Sequence, residues 1–183
     1  GNDAAIAIAE GISGTEESFA EEMNFWAQKL DMNNTVFRNS TGWPDPELTT
    51  TARDLNILTS ALISRFPIDE YPDLYPMFKK RRFEYNGIDQ PNRNPLVYGT
   101  VGADGLKTGH TKESGYGVVG SAIRDGQRVV MVLNGMTSMK QRSAESRRLM
   151  DLTFREFKQY RFFDANETVD VANVWLGKVP NVD

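Results

Sequence analysis

Three consecutive residues, Lys107-Thr108-Gly109, combine a cation, a hydroxyl and a side-chain-free backbone inside the stretch Asp104-Gly105-Leu106-Lys107-Thr108-Gly109-His110-Thr111. A cation and a hydroxyl at the edge of a strand can hold a carboxylate, and a glycine lets a second backbone come close. The tripeptide alone is a weak signal, since any given one falls by chance at roughly one position in eight thousand. Without further support it reads as a surface strand ending in a tight turn. The other chemistry-bearing types are sparse. The chain of 183 residues has no cysteine and one histidine, His110. Thiolate nucleophiles, disulfides and clustered-histidine metal sites are therefore excluded, and no metal or cofactor is expected. A Ser-His-Asp arrangement would require His110 itself as the base. Arg142 stands near the start of a long helical pattern, where the helix dipole does not favour a cation.

The surrounding elements must bring these residues together. Asn2 or Asp3 is positioned to cap a short helix of small and apolar residues. Ser13-Gly14-Thr15-Glu16 has capping-box spacing, and Phe19, Met23, Trp26, Ala27 and Leu30 recur at helical intervals behind it. Residues 33–49, rich in Asn, Thr, Pro and Asp, read as a long loop. A third helix over about 51–65 carries Leu55, Leu58 and Leu62 on one face. Asn86-Gly87 marks the turn of a hairpin in a proline-broken middle stretch. Strands follow over 105–111, 116–124 and 128–134, the last two joined at Asp125-Gly126, so an antiparallel order 105–111, 116–124, 128–134 is predicted. Ser138-Met139-Lys140-Gln141 forms a further capping box, opening a helix with Leu149, Leu152, Glu156, Phe157 and Tyr160 along its stripe. The tail alternates weakly through Val169, Val171, Val174 and Leu176. Helices, then an antiparallel hairpin, then a covering helix make a mixed α/β, or α+β, fold.

Composition limits the partners. Hydrophobic residues make up 39% and charged residues 25%, and 21 Lys and Arg stand against 25 Asp and Glu for a net charge of -4. That balance argues against nucleic acid, and Lys79-Lys80-Arg81-Arg82 reads as a solvated edge. No run of about 18 apolar residues spans a membrane.

The motif Lys107-Thr108-Gly109 resembles the third signature element of penicillin-binding proteins and serine β-lactamases. The longer pattern Gly105 to Thr111, Ser114-Gly115-Tyr116, Ser121-Ala122 and Asp125-Gly126-Gln127-Arg128 resembles the low-molecular-mass D-alanyl-D-alanine carboxypeptidases of peptidase family S11. Asn86-Gly87-Ile88, Gln90-Pro91-Asn92-Arg93-Asn94, Arg142 after the last strand, and Gly1-Asn2-Asp3-Ala4 at the start are similar to the same family. Val174-Trp175 and Gly177-Lys178 resemble the first segment of its small C-terminal β-domain. The resemblance implies a DD-peptidase/β-lactamase-like fold, partial here: an antiparallel sheet flanked by helices with an all-helical subdomain. It places residues 1–160 in the C-terminal part of the catalytic domain and 161–183 at the start of the β-domain.

It also implies roles. Lys107 would set a positive potential and pair with substrate or a serine hydroxyl. Thr108 and Gly109 would meet the terminal carboxylate of a peptide, with Arg142 as a second anchor. The backbone N–H of His110 would be one oxyanion-hole donor, while its side chain is either a packed rim group or a catalytic one. Asn2 would bond the substrate amide, cap its helix, or both, and Arg93 would bind substrate or only orient its loop. Alternation puts Lys107 and Thr108 on opposite faces, so their strand must be an edge. No serine here has a lysine three positions on, so the nucleophile is expected from an N-terminal segment of the same protein, and this chain alone is expected to be inactive. The implied activity is a periplasmic or cell-envelope bacterial serine carboxypeptidase acting on peptidoglycan stem peptides and acylated by β-lactams, with any membrane contact through other segments. Two alternatives stay open. One is a serine β-lactamase, with Glu47 in Trp43-Pro44-Asp45-Pro46-Glu47 echoing its deacylating loop, although Glu47 is expected outside hydrogen-bond reach of the cleft. The other is a non-catalytic module that binds wall peptides.

Overall fold

The computed structural model describes residues 1–173, 175, 181 and 182. Three helices come first: α1 (Asn2–Ser13), α2 (Glu16–Lys29) and α3 (Ala52–Arg65). A hairpin of β1 (Arg82–Tyr85) and β2 (Ile88–Pro91) follows. Then come β3 (Ala103–Thr111), β4 (Gly115–Arg124), β5 (Gln127–Met136) and the long helix α4 (Met139–Glu156). Two short strands, β6 (Ala172–Asn173) and β7 (Asn181–Val182), pair near the end. The expected residues Val174, Leu176, Gly177 and Lys178 lie outside the described residues. No helix among the described residues is long and apolar enough to cross a membrane.

The helix starts are set by side-chain caps, though not always at the expected residue. Thr15, rather than Ser13, caps α2 by accepting from the N–H of Ser18. The Ser13–Glu16 box does not close, because the Glu16 carboxylate is drawn to the loop and accepts from Ser40 N–H at 2.9 Å and Ser40 Oγ at 2.6 Å. Ser138 caps α4 through Gln141 N–H, as its spacing predicts, while the Gln141 side chain accepts from Thr137 instead of closing the box on Ser138. Helix α1 begins one residue earlier than a cap at Asn2 would allow. Gly1 is the cap and makes no side-chain bond, and Asn2 is the first helical residue.

The long loop 33–49 is tied to the helices by polar side chains rather than by burial. Asn24 both donates to Phe37 C=O and accepts from Phe37 N–H. Asp54, 1% exposed in the first turn of α3, accepts from Asn34 N–H at 2.9 Å and Thr35 Oγ1 at 2.7 Å. Asp54 and Thr59 are thus the buried residues of α3, whereas Leu58 is exposed. In α2 the expected stripe is the packing face at Phe19, Met23, Ala27 and Leu30, with Ala20 and Ala27 buried, and only Trp26 of the stripe turns to solvent.

The sheet has the expected antiparallel order β3-β4-β5. Its turn residues Asp125 and Gly126 both take positive φ, as do Asn86 and Gly87 in the β1–β2 hairpin, the backbone that a tight hairpin requires. Helix α4 packs on β4 and β5. The core there is Leu96, Ala122 and Met150, with Ala103, Val129, Met131 and Phe154 around it. Gly120 is required at this seam, since a Cβ on it would lie 2.4 Å from Leu96 Cδ1. The stripe of α4 is Arg142, Ser146 and Met150, continued by Phe154. Phe157 and Tyr160 fall beyond its end and are exposed, because the backbone turns extended at Phe157.

Candidate active site

Strand β3 pairs only with β4 among the described residues, so its other edge is open. The register sets Lys107 opposite Val119, Thr108 opposite Val118 and His110 opposite Tyr116. Thr108 and His110 therefore leave the face covered by α4, and Lys107 leaves the other. The Lys107 ammonium donates to the carbonyl of Thr108 at 2.6 Å.

Two arginines approach from outside the sheet. Asn92 pins the segment after the β1–β2 hairpin by donating to the carbonyls of Phe78 and Lys80 and accepting from Asn94 N–H. This fixes Arg93, whose carbonyl accepts from Arg142 Nη2 at 3.1 Å. Arg142 is only 6% exposed, and its Nε is buried without a hydrogen-bond partner among the described residues. Its guanidinium lies 5.7 Å from the centroid of the Tyr116 ring. The other side of that contact is His110, with ring centroids 3.9 Å apart. His110, Tyr116 and Arg142 thus form one stack on the α4 face of the strand end.

The electrostatics are one-sided. Lys107 keeps surface open to solvent, yet protein atoms crowd its ammonium. Its pKa is held below the ordinary lysine value, first by that desolvation and then by the charges of Arg93 and Arg142. Burial acts in the same direction on Arg142, with Arg93 adding to it and Tyr116 opposing. None of Lys107, Arg93 or Arg142 has an acidic partner among the described ion pairs. The first turn of α4, which carries Arg142, holds no acidic residue either. Cations left unpaired beside a helix N-terminus form a site for an anion.

The other expected residues lie differently. Asn2 is exposed in the first turn of α1, which packs on α2, and no hydrogen bond joins its side chain to Lys107, Thr108, His110 or Arg142. Glu47 pairs with Arg38 at 2.9 Å on an exposed loop and bonds none of the residues at the β3 edge. Tyr116, which carries no role in the sequence reading, is the ring that joins His110 to Arg142; its place opposite His110 in the 111–115 hairpin was the available signal. A surface depression lined by Arg124, Gln127, Asp151, Phe154 and Arg155 among others contains none of the site residues.

Known proteins resemble this chain in both sequence and fold. The family model described as D-alanyl-D-alanine carboxypeptidase, peptidase S11, matches residues 1–138. D-alanyl-D-alanine carboxypeptidase DacA of Haemophilus influenzae is 35% identical over 97% of this chain and 44% of its own length. DacC of Escherichia coli is 36% identical over 100% of this chain and 45% of its own. The chain thus spans somewhat less than half the length of these relatives. Penicillin binding protein 5 from Haemophilus influenzae superposes with a TM-score of 0.89 at 35% identity, over 100% of this chain and 52% of its own. Penicillin-binding protein D2 from Listeria monocytogenes, solved in an ampicillin-bound form, gives 0.73 at 32% identity over 84% of this chain and 62% of its own. With a family model that covers most of the chain and relatives that match it along nearly its whole length, this protein belongs to the D-alanyl-D-alanine carboxypeptidase family, peptidase S11.

Proposed function

We propose that the complete protein is a serine D,D-carboxypeptidase that removes the terminal D-alanine from peptidoglycan pentapeptides through an acyl-enzyme, and that penicillins acylate the same serine. The observation that carries this reading is the unpaired cation cluster at the open edge of β3: Lys107, Arg93 and the buried Arg142 beside the start of α4. A substrate that ends in a free carboxylate supplies the missing anion. Thr108 and Gly109 meet that carboxylate along the strand, and Arg142 anchors it from the helix. A serine outside these residues attacks the penultimate carbonyl. The N–H of His110 and the N–H of that serine stabilise the oxyanion, Asn2 bonds the substrate amide, D-alanine leaves, and water releases the shortened peptide.

No serine in this chain has a lysine three positions on, so the nucleophile belongs to an N-terminal segment of the same protein. Exposed Ile8, Ile12, Phe25 and Trp26 on α1 and α2 support a further segment packing there. Residues 161–183, with the β6–β7 pair, begin a separate small β-domain. The bacterial sources of the relatives support a bacterial protein, and a peptidoglycan substrate would place it in the cell envelope or periplasm. Glu47, held by Arg38, gives a β-lactamase no carboxylate at this edge.

The test is covalent labelling of the complete protein by a fluorescent penicillin, with release of D-alanine from a synthetic pentapeptide. Labelling at a serine upstream of Gly1 and D-alanine release are expected, with neither from the 183-residue chain alone. An unlabelled complete protein overturns the reading, and so does labelling of the isolated chain at Ser114 or Ser121.

A further inference from the structure

Ala103 packs against the core under α4, and Leu106, 9% exposed, stands opposite Gly120, where a Cβ would meet Leu96 and Met150 of that same core, so both belong to the α4 face of the sheet. Residues three apart cannot share a face in a regular strand. The register shows how they do so. Ala103 pairs with Ala122 and Gly105 pairs with the very next residue, Ser121, so Asp104 is an extra residue lodged in β3 as a bulge. A regular continuation from Ala103 would set Leu106 opposite Val119 and Lys107 opposite Val118. Lys107 would then point at the α4 face, where Val118 is 2% exposed, and Thr108 would leave the other face. Every chemical group on the strand would be inverted.

The extra residue is held from two strands away. Arg128 on β5 reaches across β4 and donates from Nη1 to Asp104 Oδ2 at 2.7 Å and to Ser121 Oγ at 2.6 Å. Ser121 is fully buried. The hydroxyl of Tyr75, a residue 4% exposed, also donates to Asp104 Oδ2 at 3.2 Å. Burial and the Asp104 charge both raise the pKa of that hydroxyl, so it stays a donor. Just upstream, Gly102 passes so close to β4 that a Cβ there would lie 2.0 Å from Ile123 O. The bulge therefore has a fixed entry on one side and a three-strand polar clamp on the other.

We propose that Asp104 is a positioning residue for the site: clamped by Arg128 and Tyr75, it keeps the bulge upstream of Lys107 and so fixes which faces Lys107, Thr108 and His110 take. This rests on the carboxypeptidase reading only in that those faces matter to the substrate carboxylate. When the clamp is cut, the extra residue can migrate along β3 towards Gly105 and Lys107. Bulges beside active sites aim side chains in this way, and displacements on the order of 1 Å cost about a hundredfold in rate.

The experiment compares Asp104→Ala, Asp104→Asn and Arg128→Lys in the complete protein by three readouts. These are the acylation rate with a fluorescent penicillin, the ratio of kcat/KM for free-carboxylate and amidated peptides, and cross-strand proton contacts by NMR. Asp104→Ala is expected to acylate roughly ten- to a hundredfold more slowly, to lose more on the free-carboxylate peptide, and to lose the Lys107–Val119 pairing. Asp104→Asn, which still accepts from Arg128, recovers part of each. A folded Asp104→Ala that keeps the pairing and acylates within twofold of the parent overturns the inference. If Asp104→Ala does not fold, Asp104→Asn and Arg128→Lys decide it: parental pairing and rates in both overturn the inference, and a shared loss supports it. A parent that is not acylated refutes the carboxypeptidase reading instead, and the pairing in the variants still decides the role of Asp104.

Discussion

Replacing Arg142 with alanine in the complete protein tests the anion site most directly. The guanidinium is nearly buried, gives one bond to Arg93 C=O and leaves Nε without a partner. A charge-assisted bond from it to a substrate carboxylate contributes about 1.5–3 kcal/mol. Its loss lowers kcat/KM by roughly ten- to a hundredfold. The change also strips the packing over Tyr116 and frees the Arg93 carbonyl, so a general loss of activity by itself proves little. The informative quantity is the ratio between two peptides that differ only in a free or an amidated C-terminus. Arg142→Ala narrows that ratio, because the amidated peptide never used the charge. A second consequence follows from Lys107. Its pKa is lowered partly by the Arg142 charge, and removing a like charge favours the protonated amine. The alkaline limb of kcat/KM for the free-carboxylate peptide therefore moves to higher pH in Arg142→Ala, even as its plateau falls. Equal losses on both peptides with an unmoved alkaline limb would refute the anchor role.

Three further outcomes are expected in the chain's stability. Gly120→Ala drives a methyl into Leu96, Met131 and Met150 and costs about 1–3 kcal/mol by overpacking, read as a lower midpoint in urea. Ser138→Ala removes the cap of α4 and costs about 1 kcal/mol, visible in the same titration. Asp54 has its pKa lowered by Thr35 first and by Asn34 and Thr51 as well, against the opposing effect of burial. Its stabilisation is therefore present above the unfolded value and is lost as pH falls through the lower folded one. Melting temperature should drop in that acid window in the parent, and Asp54→Asn should be less stable at neutral pH and lack that part of the drop.

The local signals were the most legible part of the sequence. Asp125-Gly126 and Asn86-Gly87 located both hairpins because only a few residue types tolerate their backbone, and capping serines and threonines located helix starts to within two residues. What misled was long-range demand on polar groups. Glu16 left its capping box for Ser40, and Asp54 outbid leucines for the interior of α3 because the loop 33–49 needed an acceptor. Phe157 and Tyr160 continued the periodicity of α4, but the helix ends at Glu156 and leaves both rings exposed. In the site, the types and spacing of Lys107, Thr108 and His110 showed the strand, while Arg93 and Arg142 needed the family pattern to be found. The bulge at Asp104 is invisible to an alternation count that starts at Gly105, and the bridging place of Tyr116 depends on a register that no spacing rule states.

The three strands that carry the site form a meander in which each pairs with its sequence neighbour. Closing such short loops costs little chain entropy, and contacts of low sequence separation form fast. The cations that complete the site come from outside the meander, Arg93 ahead of it and Arg142 behind it. Docking these two segments on the sheet closes far longer stretches of chain and gathers like charges. The order of assembly follows: the strand edge forms first with Lys107 as its share of the cluster, and its full affinity for anions appears only when the flanking segments arrive.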